Sequence, residues 1–467
     1  MRLTKIVASI SDLRCDVDFI KSLVSAGMNV ARINTAHIST DSGRLIVNNI
    51  RKVSNKIALL IDTKGPEIRT HKLDQDLVVK EGDQICVSGK FQRSEGKQLL
   101  VNYENLQDEL GPGNKILIDD GDIELTVVEK GECLVCRVEN EGVIKNNKSV
   151  NLPGVSITLP SISEKDRQFI LFAIENDLDF IAHSFVRNKE DVIAVQKILD
   201  ERNSPIKIIA KIENLDGVNN IDEILDHAYG IMIARGDLGI EIPAEKLPSV
   251  QRNLIQKAVQ RKKPVIVATQ MLHSMIEHPR PTRAEVNDVA NAVFSRTDAI
   301  MLSGETAYGK YPEEAIRMMA RIAEEIEASH DKRNDITIPP VENEIPAYLA
   351  EAAIKASLEL PAKAIVATTT TGRTSRYLAA YRGERPVFAK CHSMHVVREM
   401  ALSYGVFPSY LEIKKNKFKI EKAAITSLIN SGNLEKDDLI IYVGGRFGED
   451  AGATFMEIST VSNFKVD

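Results

Sequence analysis

Apolar and polar residues alternate along this chain in two different textures. From the amino terminus to residue 66, and again over 154–335, short β-branched runs alternate with helix-length amphipathic segments. That is the pattern of a parallel sheet wrapped by helices. The runs predict strands at Thr4–Ile10, Asn29–Ile33, Ile57–Asp62, Asp179–His183, Ile206–Ile212, Gly230–Ala234, Pro264–Thr269 and Asp298–Leu302. Several of them (KIALLID, PVIVAT, AIMLS) are apolar almost throughout, as strands covered on both faces are. Eight such strands with interleaved helices predict an α/β fold, a (β/α)8 or TIM-type barrel. Thr282 is placed to cap a helix over Arg283–Phe294.

Between residues 67 and 153 the texture changes to strands and turns: LVVKEGDQICVSG, KILIDDGDIELTVV, CLVCRVEN. Asp120–Gly121, Gly82 and Gly131 mark hairpins. The segment predicts a small β-barrel inserted as a lid in one barrel loop, with Pro66 and Pro153 at the hinges. After the barrel, ASHDKRNDITIPPVENEIP reads as a linker. Beyond it AIVATT, PVFAKC and DLIIYVGG, separated by helices, predict a third domain of open α/β type over 340–467.

The 467 residues are too many for one core, which agrees with two or three domains. Lys and Arg number 60 against 66 Asp and Glu, a net charge of -6, which disfavours nucleic acid and anionic membrane as partners. No apolar run reaches the roughly 18 residues of a membrane span. The start, MRLTKIVASISDLRCD, reads as neither a secretory signal nor a transit peptide. Five cysteines do not make a disulfide framework. Cys133 and Cys136 belong to an alternating segment that points their thiols to opposite faces of a strand, which argues against a metal or redox pair. A reducing cytoplasm is the expected location.

Chemistry in such barrels collects at the carboxyl ends of the strands. Arg32 and Asn34 close the second strand, Asp62 the third, Lys211 and Glu213 the fifth; Asp237 follows the sixth, Thr269 ends the seventh, and Ser303 and Glu305 follow the eighth. Singly each has a plain alternative. Lys211 and Glu213 could be a structural ion pair, Asp237 a helix cap, Arg32 a salt-bridge partner, Thr269 a strand-end hydroxyl and His37 a surface residue. Six strands feeding one rim favour a site. Two carboxylates with substrate oxygens suit Mg²⁺, and Arg32 and Lys211 suit phosphoryl oxygens. Asp62-Thr63-Lys64-Gly65-Pro66 opens the insert, and a lid that excludes water protects a reactive phosphoryl group.

The chain resembles the pyruvate kinase family through IIAKIENLDGV (208–218), ARGDLGIEIP (234–243), ATQMLHSMIEHPRPTRAEVNDVANAV (268–293), IMLSGETAYGKYP (300–312), IDTKGPEIRT (61–70) and VNLPG (150–154). The resemblance implies transfer of a phosphoryl group from phosphoenolpyruvate to ADP, giving pyruvate and ATP. It implies Mg²⁺ (or Mn²⁺) on Glu213 and Asp237, substrate carboxylate on backbone N–H groups at Gly236 and Asp237 beside Thr269, and Arg32 and Lys211 on the phosphoryl group. Proton delivery falls to a relay including Thr269 and Ser303. The nucleotide is expected near Asn34, His37, Arg69 and Lys148. A K⁺ site on Asn34, Asp62 and Thr63 is implied too, weakened because Ala36 stands where the family has a Ser, although Glu67 accompanies K⁺ dependence. The turn Thr369, Thr370, Thr371, Gly372, Arg373, Thr374 resembles the family's effector loop for a sugar phosphate, with GGRFGED (444–450) as its partner loop. A cytoplasmic homotetramer without the extra carboxy-terminal domain of some bacterial members is the remaining expectation. The rivals are another Mg²⁺-dependent barrel, such as an aldolase, and a non-catalytic sensor of sugar phosphates.

Overall fold

Eight parallel strands close into a barrel in the computed structural model, which describes residues 1–90, 97–329, 337–339, 344–413, 416–445 and 452–464. They are β1 (Lys5–Ser9), β2 (Val30–Asn34), β3 (Ala58–Asp62), β4 (Phe180–His183), β5 (Lys207–Ile212), β6 (Gly230–Ala234), β7 (Val265–Ala268) and β8 (Ala299–Leu302). Closure runs from Lys5 beside Ala299 to Ala8 beside Leu302. Each strand lies within one residue of its sequence expectation. Alternate residues split into two layers, because successive side chains point to opposite faces. Val7, Val30, Leu60, Phe180, Ile209, Met232, Ile266 and Met301 fill the barrel, while Ile6, Leu59, Ile181 and Val267 join the core under the helices. Thr282 caps the helix Arg283–Phe294 as expected, in a reciprocal box with Glu285.

Between β3 and β4 lies the insert, a barrel-like seven-stranded sheet with its own core around Ile85, Leu99, Leu125 and Leu134. The reading of its cysteines needs one correction. Cys136 is buried in that core, but Cys133, half-buried on the other side, is disulfide-bonded to Cys86 across 47 residues. Antiparallel pairing sets Cys86 opposite Val135, which makes Cys133 its diagonal neighbour. The spacing along the sequence carries no trace of that pairing.

The last sheet comprises β9 (Ala364–Thr369), β10 (Val387–Cys391), β11 (Val406–Tyr410), β12 (Leu439–Gly444) and β13 (Phe455–Thr460), in the order β11-β10-β9-β12-β13. Only β13 is antiparallel to its neighbour. Buried ion pairs join this region to the amino-terminal rim of the barrel: Arg382 to Asp298 at 2.5 Å and Arg398 to Asp179 at 2.6 Å. The carboxyl-terminal rim is thereby left to the insert. Of the expected linker, 330–336 and 340–343 lie outside the described residues, as do 446–450 of GGRFGED. No described helix is long and apolar enough to cross a membrane.

Candidate active site

The carboxyl ends of the strands surround a cleft of ≈ 340 Å³. Arg32, Asn34, His37, Asp62, Thr63, Arg69, Lys211, Glu213, Asp237 and Thr269 all line it, so the structure brings ten of the residues singled out in the sequence to one cleft. Gly236 is one bond removed, its N–H donating to Thr269 Oγ1 at 2.7 Å. Two expected residues stand apart. Lys148 is paired with Asp119 at 2.6 Å within the insert, and Ser303 is not among the lining residues. The Ser303 hydroxyl is buried with no partner among the described residues.

Lys211 is the centre of the cluster. Its Nζ lies 3.0 Å from Asp62, 2.9 Å from Glu213 and 2.7 Å from Ser184 Oγ, groups delivered by three different strand ends. Burial opposes the ammonium, but Asp62 and Glu213 together outweigh it and hold its pKa above the usual lysine value. Burial likewise opposes Asp62, and Lys211 and Arg32 overcome it, so this carboxyl titrates below its usual range. Arg32 completes the arrangement, with Nε 2.6 Å from Asp62 and Nη1 2.7 Å from Ser9 Oγ.

Glu213 and Asp237 behave differently. Burial pushes both carboxyls upward, Asp237 adds to the rise at Glu213, and Lys211 only partly offsets it. The raised Lys211 and the raised Glu213 pull opposite ways on their shared ion pair. We read the pair as ionised, because Lys211 has Asp62 as a second anchor. The excess negative charge therefore sits between Glu213 and Asp237. Two buried, mutually repelling carboxylates with too little positive charge fit a hard divalent cation that takes its remaining ligands from substrate and water. No set of three or more His, Cys, Asp or Glu residues forms a metal cage among the described residues, so the protein's share is the two carboxylates.

The oxygens expected to hold a monovalent cation are more fully engaged. Asn34 Oδ1 accepts the Ala36 N–H at 3.0 Å, the Thr63 carbonyl accepts Ser184 Oγ at 2.6 Å, and Asp62 is bound by Arg32 and Lys211. These are the right donor atoms, but their charge is already balanced within the protein.

Backbone strain gathers at the same rim. Thr269, Gln270 and Phe185 adopt φ of 68°, 52° and 53°, a region unfavourable for residues with a side chain. The Thr269 turn is held by Arg235, whose guanidinium donates to the Thr269 carbonyl at 2.7 Å and pairs with Asp288 at 2.7 Å. The helix after β6 begins at Arg235 itself, so Gly236 and Asp237 lie in its first turn.

Ser184, Phe185 and Ser9 were not singled out in the sequence. Ser184 and Phe185 directly follow β4, and the Phe185 N–H donates to Glu213 at 2.7 Å. The rule that found the other strand ends would have found Ser184. Ser9 ends β1 in a turn with no motif. In the carboxy-terminal sheet, the Gly372 N–H donates to Thr369 Oγ1 at 2.8 Å, and Gly372 (φ 78°) leads into the helix Arg373–Ala380.

Comparison with known proteins places this geometry. The family described as pyruvate kinase, barrel domain, matches residues 1–316, and the pyruvate kinase alpha/beta domain matches 348–458. A pyruvate kinase of Borreliella burgdorferi is 46% identical, covering 99% of this chain and 98% of its own. One from Staphylococcus epidermidis is 42% identical over 99% of this chain and 81% of its own. The crystal structure of a pyruvate kinase from Cryptosporidium parvum is similar with a TM-score of 0.93 at 36% identity, covering 98% of this chain and 96% of that one. With the barrel, the insert and the carboxy-terminal sheet all inside these matches, the chain belongs to the pyruvate kinase family.

Proposed function

We propose that the cleft transfers the phosphoryl group of phosphoenolpyruvate to ADP through the following division of labour. The observation that carries the reading is Lys211, fixed by Asp62, Glu213 and Ser184 with its cation directed into the cleft. Lys211 and Arg32 bind the phosphoryl oxygens and hold them while the bond to the enol oxygen breaks and a bond to the terminal oxygen of ADP forms. Such a reaction needs positioning and charge neutralisation and no protein nucleophile. Thr269 and the N–H groups at Gly236 and Asp237 orient the substrate carboxylate. The enolate carbon then takes a proton from a relay in which Thr269 and Ser303 take part. Asn34, His37, Arg69 and Lys148 serve the nucleotide.

Glu213 and Asp237 hold Mg²⁺ or Mn²⁺, which when bound polarises the substrate oxygens as a Lewis acid. Asn34, Asp62 and Thr63 hold K⁺ weakly. Residues 1–66 and 154–335 form the catalytic unit, 67–153 the lid, and 340–467 a regulatory unit whose Thr369–Thr374 turn takes a sugar phosphate. The working protein is a cytoplasmic homotetramer. The test is pyruvate formation from phosphoenolpyruvate and ADP with Mg²⁺, at one ionic strength, in K⁺ and in a bulky inert cation. Turnover that rises with K⁺ is expected. Equal turnover in both removes the monovalent site. No pyruvate in either, with candidate sugar phosphates added, makes the sensor the better reading.

A further inference from the structure

Glu213 and Asp237 also line a second cavity of ≈ 160 Å³, between the return segment of the lid and the barrel, which Lys211 does not line. The return segment, VSITL at 155–159, alternates: Val155, Ile157 and Leu159 are half-buried, while Ser156 and Thr158 are exposed. The three apolar side chains line the cavity, and Phe185 and Leu215 of the barrel face them. An apolar cavity of about 150 Å³ is the size that accepts one benzene ring.

The charge of this cavity is one-sided. Besides Glu67, Asp120, Glu213 and Asp237, the acidic residues Glu241 and Asp216 line it; neither of these two has an ion-pair partner among the described residues, and Asp216 accepts the Ser156 hydroxyl at 2.9 Å. Glu241 faces the backbone N–H groups of Gly154 and Leu215, and burial, with Asp216 adding, lifts its carboxyl to about 7. The lining arginines supply no counter-charge. Arg187 is spent on Asp191 and on the carbonyls of Ile157 and Leu159, and Arg69 on Glu67 and the Asn147 carbonyl. Apolar walls of ring size beside two carboxyl groups without a cationic partner are complementary to one chemical class.

We propose that this hinge cavity binds a small organic cation, a body of about benzene size carrying one ammonium. The body packs on Val155, Ile157 and Leu159, and the ammonium meets Glu241 and Asp216. Because Val155 and Ile157 belong to the lid connection and Phe185 and Leu215 to the barrel, the occupant touches both sides of the hinge. It therefore biases the lid, and by linkage its affinity and that of phosphoenolpyruvate change by the same factor.

The probe is benzylamine, titrated into the full chain by calorimetry and ligand-observed NMR, with benzoate and benzyl alcohol as partners of matched shape. Saturable binding of benzylamine, at least about tenfold tighter than either partner, is expected, since hydrogen bonds to a charged group are worth that much. Glu241→Gln lowers that affinity by a similar factor. Val155→Trp, which fills the cavity, abolishes binding in a protein whose unfolding midpoint shows that it still folds. Benzylamine and benzoate binding alike, unchanged affinity in Glu241→Gln, or full binding in a folded Val155→Trp protein each overturns the proposal. The absence of saturable binding does so too, and leaves the cavity a water-filled gap. Should Val155→Trp fail to fold, the comparison with benzoate and Glu241→Gln still decides.

Discussion

The barrel carries a buried lysine at each end, and the two are driven in opposite directions. Lys211, at the carboxyl-terminal rim, has Asp62 and Glu213 within 3.0 Å and is held charged. Lys5 opens β1 at the amino-terminal rim, where its Nζ donates to the Val406 carbonyl at 2.6 Å and lies 4.1 Å from the centre of the Phe407 ring. Burial lowers its pKa to about 7, Arg2 adds to the fall, and Glu327 and Asp298 act too weakly to restore it. Both side chains are largely withdrawn from water, Lys211 somewhat less than Lys5, so the difference lies in carboxylates. The functional rim supplies them in excess to one lysine. At the other rim they are consumed by arginines, which lock the carboxy-terminal sheet in place. Charge at one end is left available to a ligand, and at the other it is closed within the protein.

The largest expected effect breaks the closed end. Arg382 is almost fully buried against Asp298, which also accepts the Tyr404 N–H at 2.9 Å. Arg382→Met leaves that carboxylate buried without its cation. Removing one partner of such a pair costs about 3–5 kcal/mol, to be read as a shift of the denaturation midpoint. The folded fraction should still form pyruvate at the wild-type rate per molecule, because the pair lies at the far end of the barrel. A shift equivalent to under about 1 kcal/mol would mean that the end is not closed in the sense argued.

The next effect breaks the open end. Lys211→Met removes a cation that neutralises charge developing in the transition state, and a loss of about 10²–10³ in kcat is expected. Affinity for phosphoenolpyruvate should change far less, since Arg32 remains on Asp62. Normal turnover in this variant would remove Lys211 from the chemistry.

The asymmetry of the two ends was only half legible in the sequence. Strand ends such as IAKIE and LLIDT carry their charges directly after apolar runs, so the rim holding Lys211, Glu213 and Asp62 could be read by position alone. Ser184 escaped because its strand ends in an unremarkable His-Ser pair. The closed rim was not readable, because its pairs join residues far apart in sequence: Arg382 with Asp298, Arg398 with Asp179, Lys5 with Val406. An Asp placed just before a strand looks the same whether it caps the strand or receives an arginine from another domain. The Cys86–Cys133 bond was hidden for the same reason.

The effect that is smallest per step of the measurement, one pH unit, sharpens the comparison through pH. With a native pKa of about 7 against an ordinary value of 10.5, Lys5 is neutral in the folded protein and protonated in the unfolded chain between those limits. The unfolded state then binds the extra proton, so this residue makes stability rise with pH, by up to about 1.4 kcal/mol per pH unit. Below pH 7 both states are protonated and the full cost of the buried charge is present; above 10.5 neither is, and the cost is gone. Lys211 gives no such rise, because a native pKa above the ordinary value keeps both states protonated throughout this window. Lys5→Met should therefore flatten the rise from pH 7 to 10 and stabilise the protein most at the low end of that range. Parallel stability curves for the variant and the wild type would show that Lys5 stays charged beside the Val406 carbonyl, and the two ends of the barrel would then treat their lysines alike.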